Sequence, residues 1–145
     1  MESSKTNSCV CKVVRQAARS LTNLYDKALA PSGLRITQYG ILSSLARHSS
    51  ASVTQLAELL GLDQTTATRN LKVLEDSGWI ERVVHHDPRV KLLRVTSRGK
   101  QRLQAAHGHW QRVQNEIQLA LTPSELDEFN RLLRKIDAFA AQQVD

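Results

Sequence analysis

Apolar residues recur along this chain at two different periods, and the change of period marks its parts. Val10, Val13, Val14, Ala17, Leu21 and Leu24 follow the three-and-four spacing of one helix face, which predicts a helix from about residue 8 to Leu29. Pro31 and Gly33 of "APSGL" end it. A second helix carries Tyr39, Ile41, Leu42 and Leu45 to about His48, with Thr37 as its expected N-cap. After the loop "HSSAS", Thr54 is expected to cap a short third helix bearing Leu56, Ala57, Leu59 and Leu60. Gly61 stands where a helix end favours a left-handed residue. Asp63 then caps a fourth helix that runs through Leu71 and Leu74 and stops at Gly78. Two short helices joined by a tight glycine-bearing turn form a helix-turn-helix.

Beyond Gly78 the period shortens. "WIERVVHH" and "VKLLRVT" are β-prone runs, and "HDPR" between them carries the turn chemistry of Asp87 and Pro88. The expected hairpin is a wing beside the helix-turn-helix. Thr96 can cap a long helix to about Leu121, whose stripe is Leu103, Ala106, Trp110, Val113, Ile117 and Leu121. Thr122, Pro123 and Glu125 make a capping box for a last helix with Leu126, Phe129, Leu132, Leu133, Ile136 and Phe139. The expected fold is therefore mainly α (α+β): a winged helix-turn-helix over residues 36–96, with helices in 1–35 and 97–145 forming a dimerisation region. Their stripes exceed what a small domain needs for its own core. The simplest partner for such a stripe is the same stripe on a second copy. The alternative is that the terminal helices pack only on each other.

The fourth helix starts with "DQTTATR", a run of weak helix formers. Ala67, Leu71 and Leu74 share one face and can pack on Leu56, Ala57 and Leu60. Gln64, Thr65, Thr68, Arg69 and Lys72 fall mostly on the other. Short polar side chains let a helix backbone approach a large surface. In a DNA major groove, threonine can touch thymine methyls and arginine can pair with guanine O6 and N7. Thr66 either reaches a base or phosphate, or folds back to cap the helix start. On the wing, Arg89 suits the negative potential of a narrow minor groove, with Lys91 two residues on as a further contact, and Asp87 can hold the turn and orient Arg89 or pair with a nearby basic side chain. Arg82 and Arg94 are phosphate contacts or ordinary strand charges.

Composition narrows the choice of partner. A net charge of +6 and a pI near 9.7 favour an anionic one, nucleic acid first. Hydrophobic content of 41% suffices for a core. No apolar run approaches the ~20 residues of a membrane span, and "MESSKTNSCVCK" has no secretory apolar segment, so a cytoplasmic protein with no membrane partner is expected. No cofactor motif, acid–base pair, nucleophile motif or phosphate loop is present, which argues against an enzyme. His85 and His86 would sit side by side on a strand and point to opposite faces. His107 and His109 are two apart on a helix, so no metal site is expected. The competing function is a winged-helix module that binds protein without specific DNA binding. Such a module has no need of both Arg69 and Arg89.

The stretch "VTQLAELLGLDQTTATRNLKVLEDSGWIERVVHHDPRVKLLRVTSRG" resembles the MarR family of bacterial transcriptional regulators. The matching features are Leu56-Ala57, "TATR" at Thr66 to Arg69, "LEDSGWIER" from Leu74 to Arg82, the Asp87-Pro88-Arg89 wing tip and "VTSRG" from Val95 to Gly99. The order of flanking helices fits as well, so the resemblance covers nearly the whole chain. It implies a homodimer on a pseudo-palindromic operator of double-stranded DNA, with recognition helices in successive major grooves and wing arginines in flanking minor grooves. It also implies a repressor released by a small phenolic or lipophilic ligand, or by an oxidant. The ligand crevice it implies lies around Tyr25, Leu29, Tyr39 and the start of the Ser97 helix.

Cys9 and Cys11 are too close together for a disulfide framework. Aligned on Gln38, Cys11 resembles the sensing cysteine of the family's peroxide-responsive branch, and Tyr25 matches one of that branch's thiol-binding tyrosines. Arg15 and Ile36 stand where its other two tyrosines would be. Lys12 or Arg15 can favour a thiolate. The alternative is that both cysteines are small residues near a chain end.

Overall fold

The computed structural model describes residues 8–144. Its elements are α1 (Val10–Leu29), a single 3-10 turn (Ala30–Ser32), α2 (Ile36–His48), α3 (Val53–Leu60), α4 (Gln64–Asp76), β1 (Ile80–Val83), β2 (Leu92–Val95), α5 (Ser97–Ala120) and α6 (Pro123–Gln142). They form two compact units, one ending at Trp110 and one beginning at Gln111. The mainly α winged fold expected from the periodicity is the fold observed.

The core of the first unit gathers Leu29 from α1, Ile41, Leu42 and Leu45 from α2, Leu56 from α3, Leu71 and Leu74 from α4, and Ile80 and Leu93 from the strands. Full burial of one such side chain contributes about 1.5–3 kcal/mol. The core therefore fixes which face of α4 turns inward.

Two helix starts differ from expectation. The residue before α2 is Arg35, and Thr37 lies inside the helix. The first backbone N–H groups are satisfied by other side chains: Gln38 Oε1 accepts from Arg35 N–H at 3.0 Å, and Asp26 Oδ1 accepts from Ile36 N–H at 2.8 Å. Asp26 comes from α1, ten residues earlier, so local cap rules miss it. Helix α3 is capped by Ser52, not Thr54. Ser52 Oγ accepts from Gln55 N–H at 3.1 Å while Gln55 Oε1 accepts from Ser52 N–H at 2.9 Å, a reciprocal capping box. Thr122 and Glu125 form the expected box before α6.

Strands β1 and β2 pair antiparallel from Ile80 opposite Val95 to Val83 opposite Leu92, and Ala51 bridges to Leu93. The strands are shorter than the β-prone runs. His85 and His86 lie in the loop, not on a strand, and their rings are 4.1 Å apart rather than on opposite faces. The ladder stops because the loop satisfies its own backbone: His85 Nδ1 accepts from Asp87 N–H at 3.1 Å, and Pro88 has no N–H to give.

Thr96 joins the hairpin to α5. Its hydroxyl donates to the Gly78 carbonyl at 2.7 Å and accepts from Gly99 N–H at 3.1 Å. Gly99 packs so tightly that a Cβ there would overlap the Trp79 carbonyl oxygen. Arg102 fastens the same corner: it donates to the Ser32 carbonyl at 2.9 Å and lies over the Trp79 ring, 5.0 Å from its centroid.

Helix α1 leaves Val10, Val13, Val14, Leu21 and Leu24 open to solvent, Val10 at 60%. In the second unit, α6 has no buried residue, and Phe129, Leu132, Leu133, Ile136 and Phe139 are all exposed.

Candidate nucleic-acid interface

Helix α4 owes its orientation to its two faces. Ala67, Leu71 and Leu74 are buried, with Leu56 and Ala57 of α3 buried beside them. The turn between α3 and α4 uses Gly61 at φ 61°, as its left-handed position requires. Asp63 then closes the first turn. Its Oδ1 accepts from Thr66 N–H at 2.8 Å and its Oδ2 from the Thr66 hydroxyl at 2.7 Å. These bonds hold the Asp63 carboxyl below its ordinary value. Of the two roles open to Thr66, the structure shows the cap.

The outward face carries Gln64, Thr65, Thr68, Arg69 and Lys72, all exposed. They lie on two ridges of period four. On the first, Thr68 donates its hydroxyl to the Gln64 carbonyl at 2.8 Å, and Lys72 pairs with Asp76 at 3.3 Å. On the second, Thr65, Arg69 and Val73 follow one another. Among the described residues Arg69 has no hydrogen-bond or ion-pair partner. Val73 was not singled out by sequence reasoning. It is 46% exposed here, and only its place on the ridge of Arg69 marks it.

The wing tip is organised by Asp87. It accepts the Arg89 backbone N–H at 2.9 Å, Nε–H at 3.1 Å and Nη2–H at 3.0 Å. The fork holds the Asp87 carboxyl below its ordinary value and raises that of Arg89. Arg89 stays solvent-facing despite the pairing, and Lys91 is also exposed. The strand arginines are engaged elsewhere: Arg82 with Glu75 at 3.1 Å and Arg94 with Glu81 at 2.8 Å.

The chain is 30% identical over 126 residues to the multiple antibiotic resistance protein MarR of Salmonella typhimurium, covering 86% of this chain and 85% of that one. The chain belongs to the MarR family. A MarR-family profile matches residues 32–89, the helix-turn-helix and the wing up to Arg89. The transcriptional regulator MosR of M. tuberculosis, solved in complex with DNA, is similar at 33% identity and a TM-score of 0.78, covering 90% of this chain and 98% of that one. The PcaV regulator of Streptomyces coelicolor shares the fold, with a TM-score of 0.83 at 20% identity over 97% of this chain and 99% of that one. The protein is thus a MarR-family transcriptional regulator with a winged helix.

This MarR-family chain also holds a cavity of about 810 Å³ in its first unit. Tyr39, Ser43 and Arg47 of α2 form one wall, and Lys100, His107 and Trp110 of α5 another. Leu60 at the end of α3 and Leu62 in the turn before α4 complete it. Tyr39 and Trp110 stack with centroids 5.6 Å apart, and His107 stacks on Trp110 at 5.7 Å. Burial pushes the Tyr39 hydroxyl above its ordinary value, against a smaller opposing pull from Arg47. Of the residues around the crevice implied by the resemblance, Tyr39 and Lys100 near the start of α5 line this cavity, Tyr25 does not, and Leu29 is wholly buried in the core. The spacing of His107 and His109 speaks only against a metal site and does not reveal that His107 Nδ1 lies within hydrogen-bond distance of the Tyr39 hydroxyl.

Cys9 is the residue before α1 and Cys11 lies in its first turn, both exposed. Tyr25 follows Cys11 by fourteen residues on the same helix. At ~1.5 Å of rise per residue the two are about 21 Å apart along the axis, beyond contact within one protomer.

Proposed function

We propose that this regulator is a homodimeric repressor that binds a pseudo-palindromic operator and lets go when a small phenolic or lipophilic ligand fills the α2–α5 cavity. The observation that carries the DNA reading is the division of α4 into a core face and an exposed polar face on which Arg69 is unpaired among the described residues. In this reading Gln64, Thr65, Thr68, Arg69 and Lys72 enter the major groove, where Arg69 pairs with a guanine. Thr66 serves the helix cap. Arg89, oriented by Asp87, enters the minor groove, and Lys91 meets phosphate. The DNA complex of MosR, a relative of similar length and fold, supports the assignment.

The dimer is supported by the uncovered apolar stripes of α1 and α6, which a second copy would bury. The ligand is supported by the cavity's size, which falls in the ~300–1,000 Å³ range of small-molecule sites, and by its stacked aromatic wall. Leu60 and Leu62 give the cavity a direct mechanical link to the start of α4. A ligand that fits only when this turn moves would shift α4 against the core and favour the released state. Selection of bound duplexes from random DNA tests the reading: a two-fold symmetric consensus is expected, and no enrichment would overturn it.

A second route rests on the exposure of both thiols. Oxidation of Cys11, with Tyr25 supplied by the partner copy, would act on the dimer rather than on one protomer. Treatment with an organic hydroperoxide should then release wild type from its operator and spare Cys11→Ser. Equal release of both proteins, or of neither, removes Cys11 as a trigger.

A further inference from the structure

Three threonines open helix α4, and the structure gives them different duties. The Thr66 hydroxyl donates to Asp63 at 2.7 Å, and the Thr68 hydroxyl donates to the Gln64 carbonyl at 2.8 Å. Each hydroxyl has one proton, so neither can donate to a base edge while these bonds stand. Thr65 keeps its hydroxyl uncommitted among the described residues. Thr68 is exposed and shares a shallow surface groove with Gln64, Thr65, Arg69, Lys72 and Val73. With its oxygen turned back to the helix, the γ-methyl is the branch that remains for a partner. Val73, 46% exposed and lining the same groove, adds a second apolar surface to a helix face otherwise built for water.

From these contacts we infer that Thr68 is a specificity-determining residue that reads the 5-methyl group of a thymine, and does so through its own methyl. The inference rests on α4 being the helix that enters the major groove. Thymine is the base that presents a methyl there, so apolar contact alone distinguishes it from the other three. Hydrogen-bond readout is left to Gln64, Thr65 and Arg69, whose donors are free among the described residues, while the Lys72 ammonium is shared with Asp76. The operator half-site therefore carries one thymine whose methyl matters more than its oxygen.

Deoxyuridine is thymine without that methyl and keeps the same hydrogen-bonding edge. The test starts from a selected operator and replaces each half-site thymine with deoxyuridine in turn. Affinities are measured for wild type, Thr68→Val and Thr68→Ser at one salt concentration, with circular dichroism as the control for folding. One position should weaken wild type about four-fold, the equivalent of ~0.8 kcal/mol for a buried methyl group. Thr68→Val, which keeps methyls and loses the hydroxyl, should retain that sensitivity. Thr68→Ser, which keeps the hydroxyl and loses the methyl, should bind thymine and deoxyuridine alike at that position. Should Thr68→Val fail to fold, the comparison of wild type with Thr68→Ser decides alone. The inference is overturned by tight operator binding with no deoxyuridine effect at any position, or by an effect unchanged in Thr68→Ser. A loss of binding to all duplexes in folded Thr68→Val overturns it too, because the hydroxyl would then be the contact. Failure of wild type to prefer any duplex would instead bring down the DNA reading beneath it.

Discussion

The Tyr39 hydroxyl and His107 Nδ1 lie 3.0 Å apart although 68 residues separate them. Tyr39 is buried among core side chains, and His107 sits on the open side of α5. Their bond sets a polar rim beside the stacked rings of Tyr39 and Trp110, so the cavity has an aromatic wall on α2 and α5 and an aliphatic wall at Leu60 and Leu62. Trp110 should report on what enters. Titration with small phenols is expected to change its fluorescence and, at the same concentrations, release operator DNA, with Trp110→Phe silencing the optical signal. A fluorescence change without release would separate the cavity from regulation.

Gly108 lies in the cavity wall with open space where a side chain would be, whereas Gly99 has none. Replacing a helix-interior glycine by alanine gains up to ~1 kcal/mol where nothing clashes. Gly108→Ala should therefore raise the denaturation midpoint, and Gly108→Leu should block the phenol response by filling the space. Gly99→Ala should cost about 1–3 kcal/mol or more, since its Cβ would overlap the Trp79 carbonyl and crowd Val95 Cγ1 at 2.8 Å. Chemical denaturation of the variants checks the opposite signs.

Arg69→Ala should cost ~1–3 kcal/mol on the operator and relax preference at one base pair. Arg89→Ala should weaken binding to all sequences and reduce the slope of log K against log salt by roughly one. An Arg69 variant that loses as much on random DNA as on the operator would reassign that side chain to phosphate. Unchanged affinity in Arg89→Ala would take the wing out of the mechanism.

The two carboxylates that organise these elements should also set an acid limit. Thr66 holds the Asp63 carboxyl below its ordinary value, and Arg89 does the same for Asp87. A depressed folded value means that the stabilisation is present above the unfolded value, ~3.9 for aspartate, and is lost as pH falls through the folded one. Wild type should thus exceed Asp63→Ala in stability at neutral pH, with the gap narrowing below about pH 4. A gap independent of pH would show that the Asp63 charge does not contribute.

Much of this was legible in the chain because it is local. Gly61, Asp63 and the Thr122–Glu125 box are short-range signals, and the structure uses each as its residue type suggests. The two-faced character of α4 followed from the spacing of Ala67, Leu71 and Leu74 alone. What the pattern did not give depends on distant partners. Asp26 capping α2, Arg102 reaching Ser32, and Tyr39 meeting His107 join segments that no local rule connects. Pairing of His85 and His86 was misplaced because strand propensity continues past Val83, where side-chain bonding to the backbone has already replaced the ladder.

Two copies joined through α1 and α6 are expected to present two α4 helices to successive major grooves. Sedimentation of the protein on a selected operator measures this directly. Two protomers per duplex are expected, with half-sites about one helical turn apart, ~34–36 Å. Ile136→Asp should give single protomers that bind a half-site weakly and gain nothing from the second. A wild-type protein that sediments as one protomer on the full operator, and binds an isolated half-site equally well, would contradict the account.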